Sequence, residues 1–290
     1  MDRRAHTLGS TVFALVVGCG GAVERAADGG TGADDESGAV IADQPSASTS
    51  RAPSYELKPH SGIVIPAMRL HVVWIGESAR SAAGPVASEF ARWYLASEPW
   101  KVLAQYGVGP GSVVSEETVD AREILGAVTE LPATVPLLDF EKSLGPVIAR
   151  VRERTAPEIP EGSNARESWT GLEDAFVFVL PDDVNIGLGT RGTYTYRTCV
   201  DALGYHGFDG RTPYVVLPPC VEGRSTFVLS HEIAEMASDP IVGKGWFDPE
   251  NATKSAGEAA DLCKAEGPVT VSGWPISRLW SNRDSRCLPR

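Results

Sequence analysis

Apolar residues along this chain fall into short runs and helical stripes, with little of either before Ser61 except near the start. Met68 to Ile75 is a near-continuous apolar run with β-branched and aromatic residues, which predicts a buried strand. From Val86 to Tyr106 apolar residues recur at helical spacing, Phe90, Trp93, Tyr94 and Leu103 among them, and Pro99 is expected to break or kink that helix. Leu144, Val147, Ile148 and Val151 mark a second amphipathic helix, with Arg150, Arg152 and Arg154 expected on its solvated face. Ala175 to Leu180 and Tyr214 to Leu217 are apolar runs ending in proline, as further buried strands of the same sheet would. Between them, 185–211 is Gly-rich with little periodicity, and is expected to be a long connection carrying Cys199 and His206. These elements predict one α/β (α+β) domain over 61–290, with a mixed sheet of four or five strands and a helix packed on one face.

That helix is predicted over Arg224 to Ala237, started by Ser225 or Thr226 and ended by Asp239-Pro240. It contains His231-Glu232-Ile233-Ala234-Glu235. Residues four apart share a helix face, so the His231 imidazole and the Glu235 carboxylate can converge on one metal, with Glu232 beside them where it could activate a metal-bound water. The spacing is that of the HExxH zinc peptidases with Glu235 in place of the second histidine. The competing structural reading is an acidic stripe on a solvated helix.

Further ligands are expected from Glu258 and Asp261, which face the same way if 257–263 is helical, as the downstream acidic ligand does in glutamate-type zincins. His206, flanked by Gly204 and Gly207, is a metal ligand, a donor to a developing oxyanion, or a surface histidine. His71 is expected to pack or bond within its strand. Trp246 and Asp248 either line a substrate cleft or serve as core packing and a turn cap.

The N-terminus changes the setting. Arg3 and Arg4 precede an apolar run from Leu8 to Val17, too short to span a bilayer, and Val16-Val17-Gly18-Cys19 resembles a bacterial lipoprotein processing box. The expected organisation is a signal peptide over 1–18, a lipidated Cys19 that anchors the chain in the bacterial envelope, and a Gly/Ala/Ser/Asp-rich disordered tether over 19–60. Without Cys19 four cysteines remain, an even number that suits an oxidising compartment. Of the three possible pairings, Cys199 with Cys220 and Cys263 with Cys287 is favoured because each closes a short loop. A formal charge of -12 argues against a nucleic-acid partner, which would need clustered Lys and Arg.

Taken in order, His231 to Pro240, Gly245-Trp246-Phe247-Asp248 and Glu258 to Cys263 resemble bacterial members of the phosphate-induced protein (EXORDIUM-like) family and related HExxE zincin-like secreted proteins. The likeness is strongest over 199–290 and extends to Val72-Val73-Trp74-Ile75-Gly76 and the four cysteines. It implies a zincin-like domain that binds zinc or another divalent cation through His231, Glu235 and Asp261 or Glu258, with a peptide or a cell-wall polymer as substrate. Plant members of the family lack the His-Glu-x-x-Glu residues, so the resemblance also admits a noncatalytic cell-wall module. Those members keep a glutamate at the Glu258 position and change the Asp261 position, which tilts the third-ligand choice toward Asp261. One imidazole with two carboxylates would weaken the Lewis acidity of zinc, so either His206 joins the ligands, the enzyme is slow, or a harder ion such as calcium or manganese is preferred.

Overall fold

The computed structural model describes residues 55–83, 86–126, 133–155, 173–182, 184–191, 194–218, 220, 225–251 and 257–290. The expected signal segment, Cys19 and most of the tether lie outside the described residues. In chain order the elements are β1 (Lys58–Pro59), β2 (Met68–Ile75), α1 (Glu77–Ala83), α2 (Val86–Ala96), β3 (Gly111–Val119), α3 (Ala121–Leu125), β4 (Ala133–Pro136), α4 (Leu137–Thr155), β5 (Asp174–Val179), β6 (Val184–Arg191), β7 (Tyr194–Arg197), β8 (Tyr205–Phe208), β9 (Pro213–Leu217), α5 (Ser225–Ser238), β10 (Trp246–Phe247), β11 (Val269–Val271), β12 (Trp274–Ile276), β13 (Leu279–Ser281) and β14 (Arg286–Leu288). The fold reaches further back than Ser61, because Leu57 is buried and β1 pairs with β10.

The main sheet has five strands in the order β3-β2-β5-β9-β8. All neighbours are parallel except β8, which runs antiparallel to β9 at one edge. Strand alternation sorts the side chains into two layers. Leu70, Val72 and Trp74 of β2, Val177 of β5 and Val215 of β9 pack with α2 and α5, whereas Val73, Phe176, Phe178 and Tyr214 pack with α4. A sheet covered on both faces needs apolar residues at every position, which is why these strands read as continuous runs.

Pro99 ends the helical pattern as expected: α2 stops at Ala96, and a 3-10 helical turn, Trp100–Tyr106, continues the apolar face. Two expectations are corrected. The 185–211 stretch is largely β6, β7 and β8, so His206 sits on an edge strand rather than on a loop. Its glycines interrupt the alternation that marks a strand, and β8 has only four residues. Nor do the three arginines share one solvated face. Arg150 and Arg154 pair with Glu123 and Glu117, but Arg152 turns to the buried Asp174 at 3.2 Å.

Asp174 gathers Arg69 at 3.0 Å and His71 at 3.3 Å, and His71 meets Ser115 Oγ at 2.7 Å through its other ring nitrogen. Burial alone would raise the Asp174 pKa, but the hydrogen bond from His71 and the nearby Arg69 and Arg152 hold it below the usual carboxylate value. This network lies with α4, on the sheet face opposite α5, and it accounts for His71 as a bonded strand residue.

Two disulfides, Cys199–Cys220 and Cys263–Cys287, staple the domain and indicate an oxidising, exported environment. Among the described residues no helix is long and apolar enough to cross a membrane.

Candidate metal centre

The centre is built around α5, whose residues from Val228 to Ser238 are all buried. Enclosure of this kind needs an apolar sequence, and Val228, Leu229, Ile233, Ala234, Met236 and Ala237 supply it. Thr226 Oγ1 donates to Pro275 O at 2.8 Å, tying the start of the helix to β12. At its end Asp239 accepts from the backbone N–H groups of Gly243, Lys244 and Gly245 and folds the chain into a tight loop. A Cβ at Gly245 would lie 2.1 Å from Ser238 O and 2.8 Å from Ile63 O, both backbone atoms. Gly245→Ala is therefore expected to cost about 3 kcal/mol or more in urea unfolding. Gly145→Ala, in α4 with nothing within 4 Å of its Cβ, is expected to add up to about 1 kcal/mol.

Within this enclosure α5 presents His231, Glu232 and Glu235, the edge strand β8 presents His206, and the turn into the 3-10 segment Asp261–Glu266 presents Glu258 and Asp261. The last two were expected on an α-helix. They lie instead in a tighter turn, fixed by the hydrogen bond from Trp280 N to Ala259 O and by the Cys263–Cys287 bridge. All six side chains predicted to form the site meet. His206 is 8% exposed and the other five are 1% exposed or less, so a solvated acidic stripe does not describe this helix.

The contacts divide into two groups. His231 Nε2 lies 3.2 Å from Glu235 Oε1 and 3.4 Å from Asp261 Oδ1. His206 Nδ1 lies 3.3 Å from Glu232 Oε2 and 3.9 Å from Glu235 Oε2, and its Nε2 lies 3.3 Å from Glu258 Oε1. Several of these atoms are close without bonding well. Glu235 Oε2, both oxygens of Glu258 and both oxygens of Asp261 are buried with no hydrogen-bond partner among the described residues. His206 Nε2 is also without a hydrogen bond, so its approach to Glu258 is off the hydrogen-bond line.

Two triads, His231–Glu235–Asp261 and His206–Glu232–Glu235, each place three donor atoms within 4.8 Å of one another. Tetrahedral zinc with bonds of about 2.0–2.1 Å sets its donors about 3.3 Å apart, close to the spacing in the first triad. His206 Nδ1 hydrogen-bonds Glu232 Oε2 and Glu235 Oε1 accepts from Asp261 N, while the remaining oxygens of Glu235, Glu258 and Asp261 have lone pairs unused, as donors to a cation would.

Charge crowding shifts the ionisable groups. Burial, then repulsion from Asp261, pushes the Glu235 pKa up to about 7 against the attraction of His231. Burial also holds Glu258 well above the ordinary carboxylate value, against the attraction of His206. For His206 burial acts downward, but Glu258 and Glu232 outweigh it and raise its pKa well above the imidazole value.

Two contributors were not singled out from sequence. Ser277 Oγ meets His231 Nδ1 at 3.3 Å, while Ser277 N donates to Ser230 Oγ at 2.8 Å, so the residue before His231 and the one after β12 hold the ring. Tyr94, expected only as an apolar helix residue, has a fully buried hydroxyl with no hydrogen bond; burial raises its pKa, and it interacts electrostatically with His231 and Glu235. No local pattern marks either residue, because both reach the site across the fold.

Asp248 caps its own turn through Glu250 N and Asn251 N and also accepts from Glu56 N, while Trp246 packs on Tyr106 with ring centroids 5.2 Å apart. Asp248 also lines an open cleft of about 330 Å³ with Tyr55, Glu56, Lys58, Glu250 and Asn282. None of the six clustered side chains lines that cleft. Comparison with known proteins finds no matching family model, curated protein or solved structure, so the functional reading rests on these residues.

Proposed function

We propose that this chain is an exported, metal-dependent hydrolase of peptide bonds, with a divalent cation held by His231, Glu235 and Asp261. The observation that carries the reading is the first triad: an imidazole and a carboxylate one helical turn apart, joined by a buried aspartate at 3.4 Å. Zinc or a similar ion, when bound there, polarises a substrate carbonyl and makes an adjacent water more acidic. Glu232 stands beside the triad to take the proton of the attacking water. His206 presents a second imidazole to Glu232 and Glu235, in the neighbouring group of donors that shares Glu235. Lipidation of Cys19 would hold this domain on the bacterial envelope through the tether, facing peptide or cell-wall material. The resemblance to HExxE zincin-like and EXORDIUM-like secreted proteins agrees with this setting.

One observation favours a second reading. Catalytic zinc sites keep a position open to substrate, and five of the six clustered residues are 1% exposed or less. A noncatalytic surface module, in which the cation stabilises the fold and other surfaces bind cell-wall polymer, fits that closure. Hydrolysis of a broad peptide library separates the two. The hydrolase reading expects turnover that a chelator abolishes and zinc or manganese restores. Metal-loaded protein that is inert across the library contradicts it and leaves the structural metal.

A further inference from the structure

We propose that the cluster takes two divalent cations, bridged by the carboxylate of Glu235; this rests on the metal-site reading above and extends it. Glu235 belongs to both triads, and its two oxygens face different imidazoles. Oε1 lies 3.2 Å from His231 Nε2, and Oε2 lies 3.9 Å from His206 Nδ1. A carboxylate with one oxygen in each group of donors is placed to bridge two ions, which in such sites stand about 3.5–4 Å apart.

The His231 imidazole is arranged as a ligand's would be. Metal-binding histidines anchor the ring nitrogen that does not face the ion on a neighbouring polar group. His231 sets Nδ1 against Ser277 Oγ at 3.3 Å and keeps Nε2 toward Glu235 and Asp261. His206 has Nε2 3.3 Å from Glu258 without a hydrogen bond, while its Nδ1 hydrogen-bonds Glu232 Oε2 at 3.3 Å and lies 3.9 Å from Glu235 Oε2. Glu258, a candidate first-ion ligand by sequence, faces His206 Nε2 without a hydrogen bond, so its two buried oxygens stay without a bonding partner.

Charge makes the same demand. Glu232, Glu235, Glu258 and Asp261 are all buried, and among the described residues their ion-pair contacts are with His206 and His231 alone. One divalent cation balances only two of these four carboxylates, and burying the remaining negative charge is costly. Two cations balance the cluster with both imidazoles neutral. The oxygens of Glu258 and Asp261 and Oε2 of Glu235, buried without hydrogen bonds, are an independent sign that the cluster lacks partners. The second triad, with two carboxylates to one imidazole and wider spacing, suits an oxygen-preferring ion such as manganese. With that ion in place Glu232 would serve it through Oε2, the oxygen beside His206, which leaves Oε1 as the base of the hydrolase reading.

Chelator-stripped full-length protein titrated with Mn²⁺ provides the test, read by bound metal per chain and by electron paramagnetic resonance. The proposal expects two Mn²⁺ per chain with a magnetically coupled spectrum. His206→Ala and Asp261→Asn, each with a wild-type circular dichroism spectrum, should each fall to one ion with an uncoupled six-line signal. Two ions without coupling in the wild type would overturn the bridge. A single ion in the wild type that His206→Ala leaves in place would overturn the second site while the first stands. No bound Mn²⁺ and no bound zinc would overturn both this proposal and the reading beneath it. The wild-type spectrum decides the question even if a variant fails to fold.

Discussion

Stripping the metal-loaded protein with a chelator near neutral pH is expected to lower its melting temperature by roughly 10 °C, with recovery on adding zinc or manganese back. A ligand present at about 1,000 times its dissociation constant stabilises the folded state by about 4 kcal/mol, and each kcal/mol moves the midpoint of a domain of about 150–250 residues by about 2–4 °C. The centre lies between α5, the β8 edge and the Glu258–Asp261 turn, so loss of the ion leaves like charges facing one another at the junction of three elements. The effect has a definite pH dependence. In the stripped protein the Glu235 pKa is pushed up to about 7, and Glu258 is raised as well. Between the unfolded carboxylate value of about 4.3 and that raised value the folded state holds more protons than the unfolded, so stability is present at low pH and falls as pH rises, by up to about 1.4 kcal/mol per proton per pH unit. Metal binding runs the other way, because the ion displaces those protons. The gap between loaded and stripped midpoints, followed by calorimetry, should widen from about pH 5 to about pH 7. Equal midpoints across that range would show that no cation occupies the cluster.

Replacing Glu232 by glutamine is expected to lower peptide hydrolysis by about 10²–10⁴-fold while the ion centred on His231 stays bound. The side chain is 1% exposed with Oε2 3.3 Å from His206 Nδ1, so an isosteric amide keeps the shape while removing the basicity and weakening the second donor group. The triad His231–Glu235–Asp261 does not include it, so the first ion should survive the change. Turnover rates beside zinc content for wild type and Glu232→Gln check this. A variant as active as the wild type would remove Glu232 from the chemistry.

Residues joined by helical periodicity were the most legible part of the site. His231, Glu232 and Glu235 share one turn of α5, and the spacing of the local cysteine pairs pointed to the observed disulfides. The apolar runs of β2, β5 and β9 announced the centre of the sheet because strands covered on both faces carry apolar residues throughout. Where packing across the fold decides, sequence was silent. The short edge strand β8 carries His206 with a pattern too brief to recognise, and glycines hid β6. Ser277 and Tyr94 reach the cluster from just after β12 and from α2, which no spacing along the chain connects to α5. Arg152 looked like its neighbours until the position of Asp174, at the start of β5, turned it inward.

Diffraction from crystals of zinc-loaded protein, recorded on either side of the zinc absorption edge, tests the central claim most directly. An anomalous peak is expected about 2 Å from His231 Nε2 and from carboxylate oxygens of Glu235 and Asp261. A cluster without a peak at saturating zinc, its histidines still contacting the carboxylates directly, would contradict it.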